Sequence, residues 1–362
     1  MKVHQIVYGA MAGDAITTHM LEIDARLRAW GLESDMFAHY VAPEMADRVR
    51  PDREYAAFFH EPDDLLIYHY GLYALSVRYF QVTQGRRLLI YHNITPAHYF
   101  RGWDRKQELL CDVGRRTLSS LSDCDLALGD SDFNRRELVA AGVPAERTGV
   151  LPIFLPQENL EAIPTDHNLL DRLRGTGAVN FLTVGRVVPN KALQDVIRIF
   201  GVYHRAINSR SRLYVVGSRY LPAYDAALDA LVADLGLDKA VVFAGRVSDV
   251  ALKTYYQAAD LYLVASHHEG FCVPLLESMY FGVPVLARKA AAIPETLGEA
   301  GVLFADLGYE QVAEMAHLLV TDDALRDQVI FKQKERLHEL RPEQTEAELR
   351  RALSRLGLFS SE

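Results

Sequence analysis

Three things are scarce in this 362-residue sequence: cysteine, long apolar runs and surplus positive charge. Its three cysteines, Cys111, Cys124 and Cys272, are scattered and form no CxxC pair. That excludes a disulfide framework, argues against a structural zinc site and favours a reducing compartment. No stretch approaches the ~20 apolar residues of a membrane-spanning helix. The apolar run at residues 3–8 is too short for a signal peptide. The expected location is the cytoplasm, with the inner face of the membrane left open. A formal net charge of -9 argues against wholesale nucleic-acid binding, so no nucleic acid is expected as a partner. Peripheral membrane contact has only a modest basic stretch behind it: Arg101, Arg105, Lys106, Arg115 and Arg116, with Phe100 and Trp103. Asp104, Glu108 and Asp112 interrupt that stretch, and a solvated helix face is the preferred reading.

What is present is an ordinary globular composition, 49% apolar and 24% charged, in a chain long enough for two domains at roughly 100–200 residues each. Short apolar runs at 3–8, 65–69, 88–92, 125–129 and 148–153 read as buried strands. Helical patterns at 15–30 and 132–141 lie between some of them. A polar, Pro-bearing stretch from Pro156 to Gly175 follows. The alternation then restarts, with strands expected at 180–184, 212–216, 240–244, 261–264 and 283–287 and helices at 192–207 and 223–235. Alternating strands and helices predict parallel sheets of βαβ units. Two such series predict two doubly wound α/β domains, drawn at 1–170 and 171–340. Residues 321–358 form a charged amphipathic helical pattern that could pack on either domain, and residues 341–362 are expected as a C-terminal helix that packs back on the N-terminal domain. Doubly wound sheets bind ligands beyond the carboxyl ends of their strands, so residues just after strands are the candidates.

The most informative string is Ser266-His267-His268-Glu269-Gly270-Phe271-Cys272-Val273-Pro274-Leu275-Leu276-Glu277, directly after the run 261–264. Gly270 lets the backbone turn. Pro274 suits the first turn of a helix, whose N-terminal N–H groups and dipole suit a phosphate. Glu277, one turn on, can accept hydrogen bonds from two vicinal hydroxyls such as those of a ribose. A second string, Val184-Gly185-Arg186-Val187-Val188-Pro189-Asn190-Lys191, also follows a strand. Gly185 permits close backbone approach. Arg186 offers a planar fork of donors and Lys191 a point charge, both suited to a diphosphate. Cations there would stabilise a diphosphate as it leaves.

Glu269 and Glu277, with seven residues between them, resemble the EX7E motif of retaining GT-B glycosyltransferases of family 4. Gly185-Arg186…Lys191 is similar to that family's G-R…K phosphate element, and Asp130-Ser131-Asp132-Phe133 to its serine-led helix start. The likeness spans nearly the whole chain and is most specific in the C-terminal half. It implies two Rossmann-like domains facing a central cleft, the N-terminal one binding acceptor and the C-terminal one a nucleotide-sugar donor. Arg186 and Lys191 would hold the donor diphosphate, Glu277 the ribose, and Glu269 the transferred sugar. Main-chain N–H groups of residues 271–275 (Phe271, Cys272, Val273, Pro274, Leu275) beside Gly270 would support sugar and phosphate, and Val247 would lie near the base. Cys272 stands where the family often has Gly, and Ala290-Ala291-Ala292 replaces a usual Gly pair.

In the first half, Gly9-Ala10-Met11-Ala12-Gly13-Asp14 follows the first strand. It is not a full GxGxxG. By resemblance, Gly13 matches a donor-side glycine loop, and Asp14 would read an acceptor hydroxyl. Tyr91-His92-Asn93-Ile94-Thr95-Pro96 follows another strand. By resemblance His92 would face the transferred sugar as a catalytic group, with Arg186, Lys191 and Glu269. His92, Asn93 and Thr95 would also bind the acceptor. His69 and Tyr70 are weaker candidates. Asp130-Ser131-Asp132 and Asp123-Cys124-Asp125 match the metal-binding DxD pattern, but Ser131 reads better as a helix N-cap and His267-His268-Glu269 lacks metal spacing. No metal and no cofactor are expected beyond the nucleotide-diphosphate sugar itself. The resulting expectation is a retaining, metal-independent hexosyltransferase that moves a sugar from a UDP- or GDP-linked donor to a hydroxyl-bearing acceptor. It would serve polysaccharide, glycolipid or natural-product biosynthesis. The alternatives are a GT-B nucleotide-sugar epimerase or a non-catalytic GT-B partner subunit.

Overall fold

The computed structural model describes residues 2–57, 63–155 and 157–359; Pro156, the expected start of the linker, lies outside them. The chain divides into two compact units. The first comprises residues 1–101, 105–154 and 340–362, and the second 102–104 and 155–339.

Among the described residues the first unit holds a seven-stranded sheet. Its strands are β1 (Lys2–Ala10), β2 (Glu33–Val41), β3 (Arg50–Pro51), β4 (Leu65–Tyr70), β5 (Arg86–Tyr91), β6 (Leu126–Gly129) and β7 (Thr148–Val150). Among the described residues the second unit holds six: β8 (Val179–Val184), β9 (Ser211–Val216), β10 (Val241–Gly245), β11 (Leu261–Val264), β12 (Val285–Arg288) and β13 (Val302–Phe304). Every pairing is parallel. The orders are β3-β2-β1-β4-β5-β6-β7 and β10-β9-β8-β11-β12-β13. In each sheet the winding reverses beside the first strand, between β1 and β4 and between β8 and β11. In doubly wound sheets the loops leaving the strands part at such a point and leave a crevice for ligands.

Strands covered on both faces read as continuous apolar runs. All six residues of β4 and all four of β11 are buried, which is why the sequence marked them. β2 escaped detection because it mixes Glu33, Ser34, Asp35 and His39 with a short buried core at Met36, Phe37 and Ala38. β13 spans three residues, too few to show a pattern.

The helical pattern 321–358 is divided. Helices run Asp323–Glu339 and Pro342–Arg355. Arg341 is extended (φ -65°, ψ 153°), as the ring of a following proline demands. The last helix buries Leu349, Ala352 and Leu353 among Val3, Ile23, Leu27 and Phe154 of the first unit. Arg26 pairs with Glu346 at 3.1 Å along its edge. Leu353 is fully buried, so Leu353→Ala should destabilise the protein by roughly 2–5 kcal/mol. Replacing the exposed Arg351 should stay within ~0.5 kcal/mol. Urea denaturation measures both.

Candidate active site

In the second unit the loops that leave β8 and β11 lie at the switch point. The β8 loop begins at Gly185, with φ 144°, whose N–H donates to Val216 O at 2.9 Å. A Cβ on Gly217, itself at φ 152°, would stand 1.8 Å from Gly185 O, so the backbone approaches Gly185 this closely only because residue 217 is glycine. A turn at Pro189–Lys191 then closes on Ala192 in the left-handed region. It points the Lys191 Nζ at Glu269 Oε1, 2.6 Å away. Burial opposes the Lys191 charge and so does nearby Arg186, but the Glu269 carboxylate outweighs them and holds the ammonium above its ordinary pKa. Arg186 itself is exposed, and its guanidinium has no ion-pair partner among the described residues.

The β11 loop is pinned by residues that sequence reasoning missed. Asn190 O accepts from His267 N–H at 2.9 Å, and Asn190 Nδ2 donates to His268 O at 3.0 Å. Arg288, at the end of β12, donates to Ala265 O at 2.9 Å. It is held by Asp195 at 2.8 Å, which also accepts from Tyr309 at 2.9 Å. Asn190 lay inside a string already singled out. Asp195, Arg288 and Tyr309 come together only in the fold and left no local signal.

Glu269 is buried, with 8% exposure, and Gly270 is half-buried. The chain then turns through Cys272 at φ 73°, ψ 66° into the helix Val273–Tyr280, one residue before Pro274. The positive φ explains why glycine would suit position 272. Ala291 is likewise left-handed at φ 48°, so both departures from glycine put a Cβ where the backbone least favours one. Pro274 has no N–H, and the Leu275 N–H donates to Cys272 O at 3.0 Å. The Leu275 side chain is fully buried. The N–H groups of Phe271, Cys272 and Val273 therefore make up the part of the helix start that stays available to an anion. Glu277 accepts from Tyr256 OH at 2.7 Å. Burial pushes the Glu277 carboxyl up, and the Tyr256 hydroxyl partly reverses this. Val247 follows β10, half-buried, just before the Ser248 N-cap.

In the first unit, Gly13 is left-handed (φ 74°) with open space where a Cβ would go. Asp14 caps the helix Ala15–Ala29, accepting from Thr17 N–H and Thr17 Oγ1, both at 3.0 Å. Thr95 is half-buried. Asn93, left-handed at φ 66°, donates to Asn134 Oδ1 at 2.8 Å and to Glu137 at 3.2 Å. Its amide donors thus hold the loop. The expectation for the His92 side chain needs correction: it is 1% exposed and turned inward. Its Nε2 lies 2.9 Å from His69 Nδ1 and its Nδ1 3.0 Å from Asp130 Oδ2. Neither ring nitrogen is left for a sugar.

The DxD strings have structural duties. Asp130 faces His92, Ser131 caps a helix by accepting from Asn134 N–H, and Asp132 pairs with Arg135 at 2.6 Å. Asp123 pairs with Arg87, and Asp125 accepts from the Arg87 N–H. Among the described residues no group of three or more His, Cys, Asp or Glu side chains has the arrangement to hold a metal. The basic stretch near Arg105 is largely neutralised: Glu108 pairs with Arg101 and Arg105, Asp112 with Arg116, and Glu137 with Arg115. Among the described residues no helix is long and apolar enough to cross a membrane.

Residues 173–336 match the family model of the group 1 glycosyl transferases. That stretch contains both loops of the site. The chain is 27% identical over 216 residues to the O-antigen chain mannosyltransferase B of Escherichia coli, covering 58% of this chain and 55% of that one. It is 35% identical over 129 residues to a D-inositol 3-phosphate glycosyltransferase of Acidothermus cellulolyticus, covering 34% of this chain and 29% of that one. It is 24% identical over 234 residues to a Mycobacterium tuberculosis GDP-mannose-dependent alpha-(1-6)-phosphatidylinositol monomannoside mannosyltransferase, covering 61% and 58%. The chain thus spans less than two thirds of each of these relatives. In three dimensions it matches Anabaena HepE in complex with UDP and glucose at a TM-score of 0.80 and 18% identity, covering 98% of this chain and 99% of that one. It matches the sucrose-phosphate synthase of Thermosynechococcus elongatus at a TM-score of 0.78 and 18% identity, covering 99% of each. The fold is GT-B.

Two outcomes follow from this geometry. Ala291→Gly should be neutral or stabilising by up to ~1 kcal/mol, where the same change in an ordinary helix loses about that much; a thermal melt reads it. Glu277 titrates higher folded than unfolded, so its contribution is full below the ordinary carboxylate range and falls as pH rises through the raised value. Glu277→Gln should therefore be the more stable protein at neutral pH, and its advantage should vanish on acidification. Melting curves recorded across that range would show it.

Proposed function

We propose that the chain is a retaining, metal-independent glycosyltransferase that moves a hexose-type sugar from a UDP- or GDP-linked donor to an acceptor hydroxyl. The observation that carries this reading is the gathering, at one switch point, of Lys191 on Glu269, an exposed Arg186 and the start of the helix Val273–Tyr280. Arg186, Lys191 and the N–H groups of residues 271–273 suit a diphosphate. Glu277, one helical turn on, suits the ribose hydroxyls, and Glu269 a hydroxyl of the transferred sugar. Val247 is assigned to the base. The group 1 match over this stretch supports the assignment, as do a GDP-mannose-dependent relative and a structural neighbour holding UDP and glucose.

In the reaction the bond between the anomeric carbon and the diphosphate oxygen breaks, and both of its electrons leave with the nucleotide. Negative charge grows on that oxygen, and Arg186, Lys191 and the helix start stabilise it. The acceptor oxygen bonds the anomeric carbon on the face the diphosphate leaves, and its proton passes to a diphosphate oxygen. Gly13, Asp14, Asn93 and Thr95 are assigned to the first unit's share of binding: Gly13 to the donor side, the other three to the acceptor. Oδ1 of Asp14, the oxygen that Thr17 leaves, and the Thr95 hydroxyl carry most of the acceptor role, since the Asn93 amide is engaged. Relatives acting on O-antigen chains and on a phosphatidylinositol mannoside favour a polysaccharide or glycolipid acceptor.

A thermal-shift panel of UDP-glucose, GDP-mannose and ADP-glucose tests this. One donor should stabilise the protein, by about 2.7 kcal/mol at a hundredfold excess over Kd. The stabilisation should disappear in Lys191→Ala and Glu277→Ala. A folded protein that no nucleotide sugar stabilises would rule the reading out and favour the non-catalytic subunit.

A further inference from the structure

A buried polar chain in the first unit carries a second inference. It runs from Gln5 on β1 through His69 on β4 and His92 after β5 to Asp130 after β6, all nearly or wholly buried. Gln5 Nε2 donates to Met20 O at 3.2 Å, which turns Gln5 Oε1 toward His69 Nε2, 2.9 Å away. An amide oxygen only accepts, so His69 Nε2 carries a proton. His69 is fully buried with no carboxylate beside it. Burial, then the nearby His92 and His19, push its pKa well down. It is therefore neutral, and its Nδ1 is a bare lone pair. That nitrogen lies 2.9 Å from His92 Nε2, with the two ring planes within 7° of parallel. His92 Nε2 must then be the donor.

The remaining His92 nitrogen, Nδ1, lies 3.0 Å from Asp130 Oδ2, and one proton fills that contact from either side. His19, the other ring in the cluster, accepts from the Phe154 N–H through its Nδ1 at 3.2 Å. It stands at 84° to His92 and offers it no competing lone pair. His92 thus has no nitrogen able to take a proton from outside. The chain continues from it into Asn93 at φ 66°, where Arg115 donates to Ile94 O at 2.7 Å.

We propose that Gln5, His69 and Asp130 are positioning residues that clamp the His92 ring by both nitrogens, so that His92 anchors the loop 93–95 and does not act as a general base. The tautomer chain stands independently of the donor reading; the effect on turnover rests on it.

The experiment uses the full chain with its 13 histidines labelled with 15N, ring signals being assigned by single substitutions. Long-range 1H–15N spectra should show His69 protonated at Nε2 and bare at Nδ1, and His92 protonated at Nε2. In Asp130→Asn, His92 should keep the Nε2 proton and show a bare Nδ1. In Gln5→Leu the fixed pattern at His69 should be lost. A bare His92 Nε2, or a His69 cation, in the parent protein would overturn the proposal. Turnover of UDP-glucose and GDP-mannose gives the second arm. Gln5→Leu should lower kcat roughly tenfold or more with the donor KM unchanged, as a misplaced loop does. Unaltered kcat together with a lost ring pattern would overturn the positioning role. The expected ring pattern in a protein that turns over neither donor would support the clamp and count against the donor reading instead.

Discussion

The contact between Lys191 and Glu269 is the one on which the second unit's site depends. The residues are 78 apart in the chain and 2.6 Å apart in space. They meet because β8 and β11 are neighbours at the point where the sheet reverses. A buried carboxylate without a partner would be strongly disfavoured, and so would a buried ammonium. Each makes the other tolerable where neither could stand alone. Asn190, adjacent to Lys191, fastens the loop that carries Glu269 by two hydrogen bonds, so the charges meet through a rigid frame and not through flexible side chains alone. A donor that offered its phosphates to Lys191 and its hydroxyls to Glu269 would replace one pairing with two.

Backbone strain is concentrated beside that contact. Ala192, Cys272 and Ala291 are three of the five non-glycine residues with positive φ among those described. The first follows Lys191, the second lies three residues after Glu269, and the third neighbours Ala292, whose N–H donates to Glu269 O at 3.2 Å. Left-handed backbone at residues with a Cβ persists where the surroundings over-determine it. Here the hydrogen bonds of Asn190, Arg288 and Thr296 supply that determination.

Much of this was legible in the sequence. The apolar runs of β4, β8 and β11 announced themselves, and the strings after β8 and β11 carried their own chemistry. What was not legible depends on pairings across the sheet. Nothing local to His92 says that its ring turns inward, because Gln5 and His69, which decide it, belong to β1 and β4. The order β1-β4-β5-β6 sets all four members of the relay side by side, and that order has no signature in any short window. Asp195 and Arg288 were invisible for the same reason. β2 was missed because its edge-side polarity masked a core of only a few residues.

The last helix closes the first unit's core with Leu349, Ala352 and Leu353, although the second unit, 155–339, intervenes in the chain. A ribosome releases residues in order and domains fold as they emerge. The second unit is therefore fully synthesised, and free to fold, before the first has the side chains that finish its interior. Throughout that interval the core around Val3, Ile23 and Leu27 lacks the side chains of a segment not yet made, so the half of the protein made first is the half completed last.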